Sequence, residues 1–396
     1  MKKKLSLLLA LVLAFSVFAV ACGGNGKAEE TKAPAEETKA PAEETEAPAE
    51  ETEAPAEDED AEEPAANDDG LYIEVVSKGL QHQFWVNVQN GSQQAADDNG
   101  ATMHFDGPAS ESDIQDQVNM LENAITAQPD AICLAALDVE SVKTSLENAM
   151  AAGIPIIGFD SGVPGAPEGS VYANASTDNN AAGALAADEL YKVAKDEIDA
   201  ATADAPVRIA VLSQDAASES IMGRTHGFID KMIELIGEDE VAVVGQDLYA
   251  QGDEATASVI LSVGIPAKVD NSESDNTATA LLEEDNVIAI YASNEFAAES
   301  MIRAGEQLGD ILGNRAEDDS KIWACGFDAG KVQREAVENG VLFGSVTQDP
   351  VSIGYKAVEL AIKAARGEEV EDVDTGAKWY NAENLSNPEI DALVYE

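Results

Sequence analysis

The chain is short of the side chains that most catalysis and metal binding draw on. It holds three cysteines and three histidines in 396 residues. Cys22, Cys133 and Cys325 lie far apart, which excludes a disulfide framework and every zinc-ligand spacing. His82, His104 and His226 fall in no Ser/His/Asp, HExxH or phosphate-loop pattern. Segment 270–284 alternates oxygen-bearing side chains but has no Gly at its sixth position, so it is not an EF-hand loop. The carboxylates are many, yet no spacing marks a glycosidase pair. Positive charge is also scarce: 23 Lys and Arg stand against 76 Asp and Glu, a net charge of −53. Such a surface repels nucleic acid and anionic lipid and favours solubility. These shortages exclude the common enzyme classes and predict no catalytic residues, no metal and no cofactor. Cys133 and Cys325 sit inside apolar strand-like runs and read as buried free thiols.

The first seventy residues are not globular in texture. Residues 1–21 carry Lys2, Lys3 and Lys4, then an apolar run from Leu5 to Val20. A membrane span needs about 20 apolar residues, so this run reads as a secretory signal. Ala19-Val20-Ala21-Cys22, followed by Gly23-Gly24, resembles the lipobox of bacterial lipoproteins. That implies cleavage before Cys22 and lipidation of Cys22. Residues 28–55 then repeat AEETKAP twice and AEETEAP twice. The period is seven, but each repeat ends in Pro and none offers a large apolar residue, which excludes a coiled coil. Like charge and regular Pro make 22–70 an extended, disordered tether. It would hold the folded part away from the membrane that bears the lipid. Residues 71–396 still hold 17 basic against 58 acidic residues.

From Leu71 the texture becomes alternating strand and helix. LYIEVVS (71–77), 101–106, 130–136 and 154–159 read as strands; 85–99, 113–128 and 139–152 read as helices between them. A second series follows Asp178, an N-cap for a helix from Asn179, with strands at 207–213, 241–248, 287–293, 321–328 and 342–348. Its helices read at 218–236, 276–284, 295–308, 332–339 and 352–366. Residues 249–274 are hard to place, with a β segment at 259–263. Ten or more βα units are too many for one parallel sheet, so the fold class is α/β with two doubly wound parallel-sheet lobes. The stretch Ile154-Pro155-Ile156-Ile157-Gly158-Phe159-Asp160-Ser161-Gly162 is the clearest strand, apolar throughout and ended by a carboxylate. Tyr291-Ala292-Ser293-Asn294-Glu295 and Trp323-Ala324-Cys325-Gly326-Phe327-Asp328 end the same way. In open α/β sheets the carboxyl edge is where small ligands bind, so these strand ends are expected to converge on one polar small molecule.

The segments FWVNVQNGSQQAADDNG (84–100), AGIPIIGFDSG (152–162), ASTDNNAAG (175–183), GRTHGF (223–228), ASNE (292–295), GFDA (326–329) and VTQDPVSIGYKAVE (346–359) together resemble the type I periplasmic sugar-binding proteins, most closely the ribose-binding group. The resemblance runs from about 71 to 380. It implies two lobes joined by a three-strand hinge, closing on sugar in the cleft between them. The crossovers fall near 173–177, 347–350 and 375–378. The N-terminal lobe would be 71–174 plus 350–376, and the C-terminal lobe 175–349 plus 377–396. It also implies the ligand residues: Phe84 and Trp85 where rings sandwich the sugar, His82 where Asn is frequent, and Asp160 as the first lobe's acceptor. Ser161 stands where a relative has arginine, a small hydroxyl in place of a forked cation. Arg224, Asn294, Asp328 and Gln348 complete the set from the other lobe. A further aromatic is expected from the second lobe, and 249–274 is the region expected to carry substrate specificity.

The function implied is capture of a monosaccharide or related polyol by hinge closure and delivery to an ABC importer permease. The protein would be a monomer, extracytoplasmic, and held to the membrane of a Gram-positive cell through Cys22. Three other readings remain open: a sugar-sensing receptor module, a binder of a nucleoside or furanosyl signal, and a secreted glycosidase. Neighbouring genes, a ligand panel and product formation separate them.

Overall fold

Strands and helices alternate along nearly the whole described chain. The computed structural model describes residues 70–395; the leader, Cys22 and the acidic repeat lie outside them. In order come β1 (Tyr72–Val76), α1 (Gln83–Asp98), β2 (Thr102–Asp106), α2 (Ile114–Ala127), β3 (Ala131–Leu134), α3 (Lys143–Ala152), β4 (Ile156–Phe159) and β5 (Val171–Ser176). Then follow α4 (Asn179–Ala200), β6 (Val207–Leu212), α5 (Glu219–Ile236), β7 (Val241–Val244), β8 (Val259–Gly264), α6 (Asn271–Leu282), β9 (Val287–Ala292) and α7 (Glu295–Gln307). Last are β10 (Trp323–Phe327), α8 (Lys331–Glu338), β11 (Gly344–Gln348), α9 (Pro350–Ala365), β12 (Val373–Asp374), β13 (Ala377–Tyr380) and the short α10 (Pro388–Asp391).

These strands form two sheets. The first has the order β12-β5-β4-β3-β1-β2 and every pair is parallel. The second has the order β13-β11-β10-β9-β6-β8-β7, with only β13 antiparallel to its neighbour. The chain leaves the first sheet after β5, returns to it with α9, which packs on α1 and on β3, β4 and β5, and crosses again between β12 and β13. All of this lies in one compact unit, and the lobes are linked by Lys78 to Ser220 and Gln214 to Glu111.

The apolar runs explain why both sheet faces are covered. Along β3, Ala131 and Cys133 enter one core cluster while Ile132 and Leu134 enter another. Along β9, Ala289 and Tyr291 go one way and Ile290 and Ala292 the other. Side chains of a strand alternate between faces, so a run buried on both faces must be apolar at every position. Cys133 and Cys325 are buried free thiols in these layers, as expected, and burial pushes both thiols far up.

Several boundaries differ from the sequence reading. The helix expected at 276–284 begins at Asn271, because Asp270 caps it by accepting from the Glu273 amide at 2.9 Å. The Ser- and Asp-rich run that reads as a loop is its first turn. The helix expected from 139 begins at Lys143, since the Asp138 carboxylate instead takes the amides of Glu140 and Ser141 in a turn. The strand expected to run to 248 stops at Val244, where Gly245 turns to φ +97°. The doubtful β segment is a fully buried strand, β8, between β6 and β7.

Close helix pairs then set the site. A Cβ on Gly183 would stand 2.1 Å from the Arg224 carbonyl, and one on Gly227 would stand 2.0 Å from the Asn180 carbonyl. Only glycine permits this approach of α4 to α5. It brings Asn179 against Arg224, whose Nε–H donates to Asn179 Oδ1 at 3.0 Å.

Candidate functional site

The strand ends of the two sheets face one narrow cavity of about 30 Å3. Lys78, His82, Phe84, Trp85, Glu111 and Asp160 line it from the first lobe. Ile221, Arg224, Asn294, Glu295, Asp328 and Gln348 line it from the second. That is far below the roughly 300–1,000 Å3 usual for small-molecule sites, so the lobes leave little free space between them.

Asp160 and Asp328 occupy equivalent places. Each follows a Gly-Phe strand end, in Gly158-Phe159-Asp160-Ser161-Gly162 and Gly326-Phe327-Asp328-Ala329-Gly330. Each has positive φ, +54° and +74°, a left-handed conformation that Asp tolerates better than most residues. Each donates its amide to the neighbouring strand, Asp160 to the Ala175 carbonyl at 3.1 Å and Asp328 to the Val346 carbonyl at 2.6 Å. The sheet therefore continues one bond past the strand and then swings the carboxylate off its edge.

Around Asp328 the polar groups are closely fixed. Its Oδ1 accepts from Gln348 Nε2 at 2.7 Å and its Oδ2 from the Glu295 amide at 3.0 Å. Arg224 Nη1 stands 3.9 Å from Oδ2, donates to the Ser293 carbonyl at 3.3 Å, and its guanidinium lies 4.0 Å over the Phe327 ring. Burial raises the Asp328 pKa; Arg224 and the Gln348 amide pull against it. Gln348 keeps a buried Oε1 without a partner, an acceptor left for a ligand donor. Asn294 caps α7, its Oδ1 accepting from the Ala297 amide at 3.0 Å.

In the first lobe His82 is the N-cap position of α1 and Phe84 and Trp85 are in its first turn. The Phe84 and Trp85 rings meet edge to face, at 5.0 Å and 88°, so these two make a corner rather than two parallel faces. His82 reaches across to Phe296 of the second lobe at 6.2 Å. Ser161 is not on the cavity wall. Its hydroxyl is 2.8 Å from that of Ser220 and accepts from Lys78 Nζ at 3.2 Å. No residue of 249–274 lines the cavity; Tyr249 is buried against His226 instead. The specificity expected of that segment has no contact here to act through, because β9 and β6 lie between β8 and β10.

Lys78, Glu111, Ile221 and Glu295 are cavity residues that sequence reasoning passed over. Lys78 lies two residues beyond β1. Its Nζ stands 2.8 Å from Asp160 Oδ2 and donates to Ser220 Oγ of the second lobe at 2.9 Å. Burial opposes the ammonium charge, but Asp160 and Glu111 outweigh it and raise the Lys78 pKa. Lys78 thus supplies a cation beside Asp160 where Ser161 cannot. A signal was present: a lysine at a strand end in a chain this poor in basic residues. Glu111, by contrast, sits in a loop with no pattern to mark it. Burial would raise its pKa, but Lys78 and His82 hold it below the usual range.

Glu295 has a pKa raised to about 8 by burial, then by Asp328 and Glu299. An unfolded glutamate titrates near about 4.3. Between those two values the folded state binds more protons than the unfolded one, so this group makes stability fall as pH rises from about 4.3 to about 8. Glu295→Gln is expected to match the parent near pH 4 and to exceed it by a few kcal/mol (about 2–4) at pH 8. Chemical denaturation of both proteins across that range checks it; parallel curves would refute the assignment.

The arrangement offers flat apolar rings beside planar, paired donors and acceptors that are already fixed by protein partners. That suits a small molecule with several adjacent hydroxyls. No group of His, Cys, Asp and Glu fit to hold a metal occurs among the described residues. No helix among them is long and apolar enough to cross a membrane. Residues 73–369 match the periplasmic binding protein domain family.

The chain belongs to this family. Among curated relatives, it is similar to the D-allose-binding periplasmic protein of Escherichia coli K12, 23% identical over 310 residues, 77% of this chain and 88% of that protein. The ribose import binding protein RbsB of the same organism is 25% identical over 305 residues, covering 76% and 86%. Among solved structures, an ABC transporter, LacI family transcriptional regulator from Brachyspira murdochii matches with TM-score 0.69 and 41% identity, over 83% of this chain and 99% of that one. An ABC transporter solute binding protein from Agrobacterium vitis with bound D-fucose matches with TM-score 0.68 and 31% identity, over 82% and 100%. A periplasmic binding protein acts by holding its solute between two lobes, and in this chain the two lobes contribute equal numbers of residues to the cavity wall.

Proposed function

We propose that this protein is an extracytoplasmic receptor that captures a monosaccharide or related polyol between its lobes and hands it to an ABC importer. The observation that carries the reading is the pair Asp160 and Asp328, delivered by equivalent strand ends of two lobes to one cavity lined by both lobes. Asp160, Asp328, Asn294, Gln348 and Arg224 bind adjacent hydroxyls, and Phe84 and Trp85 cover an apolar CH face. Net gain per hydrogen bond is about 0.5–1.5 kcal/mol, more to charged groups, while an unmet buried partner costs about 1–3 kcal/mol. Selectivity therefore comes chiefly from the penalty on the wrong stereoisomer. A ligand that touches both lobes favours the closed state by its differential affinity. The relatives named above for allose, ribose and D-fucose put pentoses, hexoses and deoxyhexoses first in the panel.

Calorimetry and thermal shift against pentoses, hexoses, polyols and nucleosides test the proposal. One monosaccharide is expected to bind with micromolar or tighter Kd, about 8 kcal/mol or more. A panel in which only nucleosides raise Tm would overturn it. The finer part of the proposal is the anchor: the lipobox-like Cys22 and the acidic tether support a monomeric lipoprotein on a Gram-positive membrane. Cys22→Ser is expected to release the protein into the medium; retention in the membrane fraction would remove the anchor.

A further inference from the structure

One carboxylate in the cleft is shared between the lobes. Glu111, in the loop between β2 and α2, accepts from Trp85 Nε1–H at Oε1, 2.8 Å, within its own lobe. Its Oε2 accepts from Gln214 Nε2 of the other lobe at 3.0 Å. Gln214 follows β6 and is 1% exposed. Its Oε1 in turn accepts from Asn294 Nδ2 at 2.5 Å. Trp85, Glu111 and Asn294 all line the cavity, whereas Gln214 does not. An unbroken run of hydrogen bonds therefore passes from the stacking ring of one lobe to the strand-end amide of the other.

The Trp85 donor has no choice, whereas Gln214 Nε2 also donates to Asp215 Oδ2 of its own lobe at 3.1 Å. An indole has a single N–H, and Trp85 gives it to Glu111. Each oxygen of Glu111 serves one lobe, so opening the cleft removes the partner of one and leaves the other holding the ring. We propose that Glu111 is a positioning residue that couples the setting of the Trp85 ring to closure of the lobes, through Gln214 and Asn294. The inference rests on the cleft being the ligand site, but its geometry exists without a ligand, and its test is run without one. Failure of the sugar panel and failure of the coupling are thus separate results.

Hydrogen exchange of the full chain without sugar provides the test, read at peptides covering 83–90 in one lobe and 211–221 in the other, with β3 as the control for folding. Glu111→Ala and Gln214→Ala are each expected to lower protection about tenfold or more in both peptides, on both sides of the cleft. The double variant is expected to lose no more than either single one, since both break the same link. The exchanged pair Glu111→Gln/Gln214→Glu keeps one donor facing one acceptor and an acceptor for Trp85. It is expected to restore protection that Glu111→Gln alone loses, and it serves if the alanine variants lose protection in β3. Loss confined to the altered residue's own lobe, additive losses, or no recovery in the exchanged pair would each overturn the proposal.

Discussion

Asp328→Asn is expected to weaken sugar binding about 100-fold or more and to erase the sugar-induced rise in Tm, while the free protein keeps its fold. Asn tolerates the left-handed backbone at φ +74°, so the substitution changes charge without straining the turn. Alanine there would confuse the two effects. What Asn removes is one carboxylate oxygen. Asp328 Oδ1 and Oδ2 are the acceptors for Gln348 and the Glu295 amide, and Arg224 neutralises them at 3.9 Å. An amide leaves one of these donors facing an NH2 group and leaves the buried guanidinium without its counter-charge. A ligand hydroxyl that donates to a charged carboxylate is worth about 1.5–3 kcal/mol, and loss of that bond accounts for about 100-fold in Kd. Calorimetry with the sugar identified by the panel reads the loss directly. An unchanged Kd would take Asp328, and with it the strand-end pair, out of the site.

Lys78→Met is expected to be the most destabilising single change in the cleft. Lys78 and Asp160 are both almost wholly buried, and the ammonium touches Asp160, Ser161 and Ser220. Removing one partner of a buried ion pair leaves an uncompensated charge and costs about 3–5 kcal/mol. Met fills the volume, so little of that loss is cavity. Lys78 also bonds Ser220 of the second lobe, so the loss is expected in the denaturant midpoint of the whole unit rather than in a separate transition. Adding Asp160→Asn to Lys78→Met removes the orphaned charge and is expected to recover part of the stability. A loss under about 1 kcal/mol in the single variant would mean that water reaches Asp160 and that the pair is not a buried one. Sugar affinity is expected to fall as well, because Asp160 then lacks the cation that fixes it.

The strand-end acids were legible because their positions depend on local chain alone. Once Ile156–Phe159 is a strand, the next residue must stand at its carboxyl edge, wherever the strand lies in the sheet. The same holds for Asn294, Asp328 and Gln348. Ser161 follows from the same logic one residue later, yet the chain has already turned, and its hydroxyl faces Lys78 and Ser220 rather than the cavity. Lys78 and Glu111 were passed over for the opposite reason. They sit on loops, and a long side chain on a loop reaches a site only if the surrounding packing directs it there. Asp270 shows the limit at the level of helices: its polar neighbours favour loop and first turn alike, and only the cap bond distinguishes them.

By itself, the sequence determined the layers: runs apolar at every position require sheets buried on both faces, and their number requires two lobes. It determined the polar strand ends too, since alternation of strand and helix places them along one edge of each sheet. The tertiary structure alone decided which of those ends meet and which loop residues join them. The contacts between Lys78 and Ser220 and between Glu111 and Gln214 link residues more than 100 positions apart. Such pairs leave no period or spacing in the chain, because they arise from the docking of two sheets, each folded on its own local pattern.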